Sequence, residues 1–179
     1  DVERSRGLGD VYKRQAIECP DPVIIFEPKR RYWLKGEVDF SDTSFDPFSA
    51  QVVREGTDAT IVAYGPLVPV ALAAAEAAVE DGRSIEVIDL RSISPLDVPT
   101  VAASVAKTGR LIVAHEAPTF GGMGGELAAA ITERCFYSLQ APVIRVGGYY
   151  MPYPVSRVEE EYVPDIDRIL EAVDRAFDY

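Results

Sequence analysis

Few side chains in this sequence are equipped for acid–base or nucleophilic work: one histidine and two cysteines in 179 residues. His115 stands beside Glu116, a pairing that would suit a general base with an orienting carboxylate. Side chains of neighbours in an extended segment point opposite ways, so the two need not touch. The alternative is a structural histidine at a strand end or interface. Gly121-Gly122-Met123-Gly124-Gly125-Glu126 leads into a helix, and bare N–H groups at a helix start can cradle a phosphate. No Lys-Ser/Thr follows, the fit to a dinucleotide fingerprint is poor, and Glu126 would repel a phosphate. Close packing against another chain, which glycine permits, is the favoured reading. Asp89 and Arg91 flank a strand end as an ion pair or cap contact. Glu27–Trp33 (EPKRRYW) is a basic, aromatic patch that would bind an anion or a subunit. Its plainer reading is a strand end exposed for want of the rest of its domain. Cys19 and Cys135 build neither a disulfide framework nor a metal cluster.

These residues need elements to position them. Pro22–Glu27 (PVIIFE) reads as a buried strand. Residues 37–49 are acidic, Ser-rich and non-periodic, hence a linker. Ala50–Arg54 alternates and suits an edge strand, in either sense. Regular alternation follows: strands at Thr60–Ala63, Ser84–Leu90, Arg110–His115 and Pro142–Val146. A helix opens at Pro66, with Leu67, Val70, Ala71, Ala74 and Ala78 on one face, and closes at Gly82. Ser94-Pro95-Leu96-Asp97 reads as an N-cap serine with proline at the first helical position. That helix buries Val98, Val101, Ala102 and Val105 and stops at Gly109. Glu126–Phe136 forms a third helix. Asp165 caps a last one, with Ile166, Ile169, Leu170, Val173 and Phe177 inward. Strands alternating with helices predict an α/β fold, a mostly parallel sheet covered on both faces. Its ligands would lie beyond the strands' carboxyl ends, at Tyr64-Gly65-Pro66, Asp89-Leu90-Arg91 and His115-Glu116-Ala117-Pro118.

Composition narrows the function. Lys and Arg total 18 against 29 Asp and Glu, a formal charge of -11. Such a chain suits a basic protein partner and excludes nucleic acid and anionic membranes. No apolar stretch is long enough to span a bilayer. With no signal-peptide pattern and Asp1 at the start, the expectation is a cytoplasmic protein truncated at its N-terminus. Residues 1–15 look like translated adaptor sequence and are excluded from the fold; the alternative is an ordinary polar tail.

Five segments read together are more specific: PVIIFEPKRRY (22–32), EGTDATIVAY (55–64), EVIDLRSISPLD (86–97), KTGRLIVAHEAPTFGG (107–122) and APVIRVGGYYMPYP (141–154). Over 16–179 they resemble the beta subunit of the thiamine-diphosphate-dependent 2-oxoacid dehydrogenases. Tyr-Trp after EPKRR, HEAP and MPYP look most like the branched-chain, 2-oxoisovalerate type; pyruvate and acetoin relatives share the framework.

The resemblance implies that 50–179 are a transketolase-like C-terminal domain, a three-layer α/β/α fold with a five-stranded sheet. It implies that 16–36 are a remnant of the pyrimidine-binding domain. No catalytic or cofactor-binding residue is expected in this chain, because the family's activating glutamate and active-site histidine lie in the absent part. Thiamine diphosphate and its Mg²⁺ would be held mainly by the alpha subunit. Ala16, Cys19 and Asp21 match positions whose carbonyls contribute to a potassium site in branched-chain relatives. Implied partners are the alpha subunit, a second beta subunit and the lipoyl acyltransferase's subunit-binding domain. The last would meet Glu159, Glu160 and Glu161. The implied reaction is oxidative decarboxylation with acyl transfer to lipoamide, the fragment alone being inactive. From another class, a stand-alone α/β interaction module or small nucleotide-binding protein stays open.

Overall fold

The computed structural model describes residues 16, 17, 19–26, 46 and 48–179. The chain divides into two units, Asp1–Pro47 and Phe48–Tyr179. Expectations for residues 1–15, for Glu27–Trp33 and for most of the segment 37–49 fall outside the described residues. In the first unit the expected buried strand is absent. Residues 22–26 form no strand, and Ile24 and Phe26 are 78% and 89% exposed. An apolar extended segment becomes a buried strand only when a neighbouring strand pairs its backbone and a second layer covers its side chains. Residues 22–26 have neither among the described residues.

The second unit is a three-layer α/β/α fold. Its strands are β1 (Gln51–Arg54), β2 (Ala59–Ala63), β3 (Ile85–Asp89), β4 (Leu111–Pro118) and β5 (Ile144–Gly148). They lie in the order β1-β3-β2-β4-β5. The central pairings are parallel, and β1 adds antiparallel to β3 as an edge strand. The helices are α1 (Leu67–Ala77), α2 (Val98–Thr108), α3 (Met123–Cys135), the short α4 (Glu159–Tyr162) and α5 (Ile166–Phe177).

Burial on both faces explains the apolar strands. Ile61, Ile85, Val87, Ile112 and Val146 pack under α1 and α5. Val62, Ile88, Leu111 and Val113 pack under α2 and α3 through Val101, Val105, Leu127 and Ile131. Each such side chain removed from water contributes about 1.5–3 kcal/mol. The alanines of α1 (Ala71, Ala74, Ala75) are buried and let the helix lie close to the sheet. Arg83 and Arg110 stack their guanidinium groups on Phe177, 4.6 and 4.5 Å from the ring centre, and so pin the end of α5.

Several boundaries differ from the sequence reading. α1 ends at Ala77, and a run of turns reaches Gly82. Asp97, not Ser94, caps α2: its carboxylate accepts from the Thr100 N–H at 3.1 Å and from the Thr100 hydroxyl at 2.7 Å. The same carboxylate takes the Ala50 N–H at 2.9 Å, tying the start of the unit to this helix. Val98 and Ala102 are half-buried, and the inward face of α2 includes Ser104 and Thr108. Gly109 stops α2 in the left-handed region, φ 73°, where glycine carries no Cβ penalty. α3 begins at Met123, so Gly124 and Gly125 are helical residues rather than a preceding loop.

Candidate functional site

The carboxyl ends of β2, β3 and β4 bring Tyr64, Asp89 and His115 to one end of the sheet. What they do there is largely structural. His115 is completely buried, at 0% exposure. Its Nδ1 lies 2.8 Å from the Ala117 carbonyl; a carbonyl can only accept, so Nδ1 carries the proton. Glu116 is half-exposed on the opposite side of the strand. The structure thus favours the structural reading of His115 over a base–carboxylate pair with Glu116.

The glycine run explains the burial of the ring. A Cβ on Gly124 would stand 2.5 Å from His115 Nε2, and one on Gly122 would stand 2.7 Å from Cε1. A Cβ on Gly147 of β5 would come within 3.0 Å of the same carbon. The glycines thus admit close approach of the chain's own imidazole. Tyr64 stacks across the ring, centroids 6.1 Å apart. Burial, reinforced by the charge of Arg145, holds the His115 pKa below its ordinary value; the Ala117 hydrogen bond opposes this. Tyr64 is raised, by burial and then by Glu116. Asp89 is also raised by burial, against the opposing pull of Arg91, whose N–H lies 3.1 Å from the carboxylate. Arg91 holds φ 59°, an uncommon region for a side-chain-bearing residue, and its guanidinium donates to Gln51 of β1.

Next to this end the surface is aromatic. Phe120 (70% exposed) and Tyr150 (77% exposed) meet with centroids 4.7 Å apart. Tyr149 and Tyr153 pack on Tyr162, and Arg168 stacks on Tyr149. Exposed aromatic side chains grouped in this way make a candidate interaction surface. The acidic triplet borders it. Glu159, Glu160 and Glu161 lie in α4, and Glu159 accepts the Tyr153 hydroxyl.

At the amino end of the sheet sits a cluster that the sequence reading missed. Glu86 of β3 is 1% exposed, yet its carboxylate is fully engaged. It accepts from Lys107, from Ser104 and, at 3.3 Å, from the Gly56 N–H. Ser104 shares a hydrogen bond with Thr60 (2.6 Å), and Thr60 with Thr108 (2.7 Å). Burial pushes the Glu86 carboxyl up, and the hydrogen bonds outweigh it, so the net displacement is downward. Lys107 is raised, chiefly by its hydrogen bond to Glu86. The available signal was polar residues at core spacing, Ser104 and Thr108 on α2 beneath Thr60 and Glu86.

Among the described residues no group of three or more His, Cys, Asp or Glu side chains could hold a metal ion. The carboxyl end of the sheet does not fit thiamine diphosphate: its histidine is sealed beneath glycines and it gathers no metal-ligating set. Of the candidate potassium ligands, Ala16 is half-buried, while Cys19 and Asp21 are exposed. No helix of the described residues is long and apolar enough to cross a membrane.

A parallel core with one antiparallel edge and helices on both faces define a three-layer α/β domain. The family described as "Transketolase, C-terminal domain" matches residues 49–169, and the chain belongs to it. The chain is 55% identical over 166 residues to the pyruvate dehydrogenase E1 component subunit beta of Leifsonia xyli, covering 93% of this chain and 49% of that protein. It is 50% identical over 170 residues to the 3-methyl-2-oxobutanoate dehydrogenase subunit beta of Mycobacterium tuberculosis, again 93% and 49%. It is 45% identical over 166 residues to the mitochondrial 2-oxoisovalerate dehydrogenase subunit beta of Dictyostelium discoideum, covering 92% of this chain and 45% of that one. The chain thus spans about half the length of these curated relatives. Among solved structures, a split-gene transketolase described as an inactive beta4 tetramer superposes with a TM-score of 0.65 at 30% identity. That match covers 79% of this chain and 45% of the other.

Proposed function

We propose that this chain is the C-terminal part of the beta subunit of a 2-oxoacid dehydrogenase decarboxylating component, contributing assembly and docking but no chemical step. The observation that carries it is the similarity to beta subunits over 93% of the chain. The sealed His115 supports the second half of the statement. In the whole enzyme, thiamine diphosphate supplies the electron sink for decarboxylation of the 2-oxoacid. It and Mg²⁺ would be bound by the alpha subunit and the pyrimidine-binding domain, with potassium at the latter's edge near Ala16, Cys19 and Asp21. The acyl group would pass to lipoamide on the acyltransferase.

Within that class we read the substrate as a branched-chain 2-oxoacid such as 3-methyl-2-oxobutanoate. The HEAP and MPYP segments and the M. tuberculosis relative support it. The 55% identity to the L. xyli subunit favours the second reading, pyruvate. Alpha subunits in a heterotetramer and the acyltransferase's subunit-binding domain are the proposed partners, in the cytoplasm. The test is a chimera: residues 48–179 replacing the C-terminal domain of the M. tuberculosis beta subunit, assembled with its alpha subunit. Turnover of 3-methyl-2-oxobutanoate supports the beta-subunit reading, and failure to assemble overturns it. The substrate reading is tested by this chain's natural full-length subunit with its own alpha subunit. Preference for pyruvate there would replace the branched-chain reading.

A further inference from the structure

The ring of His115 is the chain's one imidazole, and it is the least accessible titratable group at its end of the sheet. It projects from β4 toward the start of α3, pressed between Gly122, Gly124 and Gly147. One nitrogen is committed: Nδ1 donates to Ala117 O and so fixes the chain where it leaves β4. The other, Nε2, is buried and has no hydrogen-bond partner among the described residues. It faces Gly124 in the first turn of α3, where the helix presents its positive end. A proton on Nε2 would place a second N–H, without an acceptor, and a full positive charge in this position.

The surrounding groups offer that charge little relief. Tyr64 from the end of β2 stacks on the ring as a neutral phenol. Arg145 on β5 is itself positive and acts against protonation. Glu116 is turned to the other side of β4. The first three residues of α3, Met123-Gly124-Gly125, are not titratable, and Glu126 beyond them is exposed. Residues 119–122, which carry Phe120 onto Tyr150, lie in no helix or strand.

We propose that His115 is a pH-sensitive latch: neutral, it seats the end of β4 from Ala117, the segment to Gly122 and the first turn of α3; protonated, it releases them and with them the Phe120 side of the aromatic surface. The latch acts in one direction. The folded state favours the neutral ring, so an open state, in which the imidazole regains an ordinary pKa of about 6.5, takes up the proton first. Opening is insensitive to pH above that value. Below it, the open population rises up to about tenfold per pH unit until the folded ring itself protonates. Acid would thus dismantle this aromatic surface while leaving the core of the sheet in place. This inference does not rest on the dehydrogenase reading.

Because there is a single histidine, ¹⁵N imidazole NMR of the 179-residue chain reads the group directly. Hydrogen exchange of the amides of 117 and 119–125, against those of β2, reads the latch. The expected result is the Nδ1–H tautomer, titration below pH 6.5, and protection at 117–125 falling about tenfold per unit from pH 6 to 5 while β2 stays protected. His115→Gln, which can still donate to Ala117 O, should remove the pH dependence. A ring that titrates at 6.5 with 117–125 unchanged overturns the proposal. So does simultaneous loss of protection throughout the sheet, or persistence of the pH dependence in H115Q. If H115Q does not fold, the titration and exchange of the natural chain decide.

Discussion

Removing the Lys107 ammonium isolates one term in the stability of this domain. In Lys107→Met the Glu86 carboxylate, 1% exposed, keeps Ser104 and the Gly56 N–H but loses its cation. Deleting one partner of a fully buried pair costs about 3–5 kcal/mol. Lys107 is 43% exposed and also touches Glu55 at 3.2 Å, so water reaches that edge of the carboxylate. The loss should therefore fall to about 2 kcal/mol, a factor of about 30 in the folding equilibrium. For a domain of this size that lowers Tm by about 6–10 °C. The pH dependence supplies a control. In the natural chain the folded Glu86 pKa lies below its ordinary value, so its contribution is complete above about pH 4.3 and fades as pH falls through the folded value. In the variant, burial without the lysine raises that pKa, and protonation relieves the buried charge. The difference between the two proteins should shrink from pH 7 toward pH 4. Thermal unfolding followed by circular dichroism at pH 7, 5.5 and 4 measures it. A Tm change below 2 °C at pH 7, or one that does not shrink with acid, would refute the reasoning.

Two further outcomes follow from the same geometry. Gly124→Ala should cost about 1–3 kcal/mol by overpacking against His115, whereas Gly125→Ala, whose Cβ would meet only Arg145 at 3.4 Å, should be neutral or stabilising by up to about 1 kcal/mol; urea unfolding separates the pair. If the acidic C-terminal stretch docks the acyltransferase's subunit-binding domain, binding should weaken with salt and Glu160→Gln/Glu161→Gln should slow association. Unchanged on-rates in stopped-flow measurements would remove this cluster as the docking surface.

The parallel core was legible because its strands are unbroken apolar runs and its helices carry clear inward faces, Ile169 and Val173 on α5 being the plainest. The Gly109 and Asp165 ends were legible because a left-handed glycine and a capping carboxylate act locally. Asp97 was misplaced because two proline-containing starts compete within six residues. Tertiary contact with Ala50, invisible in a local window, accompanies the later one. The roles of Glu86 and His115 were hidden for a related reason. The partners of Glu86, Ser104, Lys107 and Gly56, lie 18, 21 and 30 positions away, and Gly147 and Tyr64 reach His115 from 32 and 51 away. Sequence spacing within one element carries no record of those meetings. The glycine run was readable as a place of close approach, but not as to what approaches it.

Under the proposed function, this chain would build and dock a 2-oxoacid dehydrogenase without performing its chemistry. The direct measurement is 2-oxoacid-dependent turnover by the 179-residue chain mixed with an alpha subunit, thiamine diphosphate and Mg²⁺, beside the chimera carrying the same residues 48–179 behind a pyrimidine-binding domain. Turnover is expected of the chimera and not of the chain alone; turnover by the chain itself would overturn the proposed function.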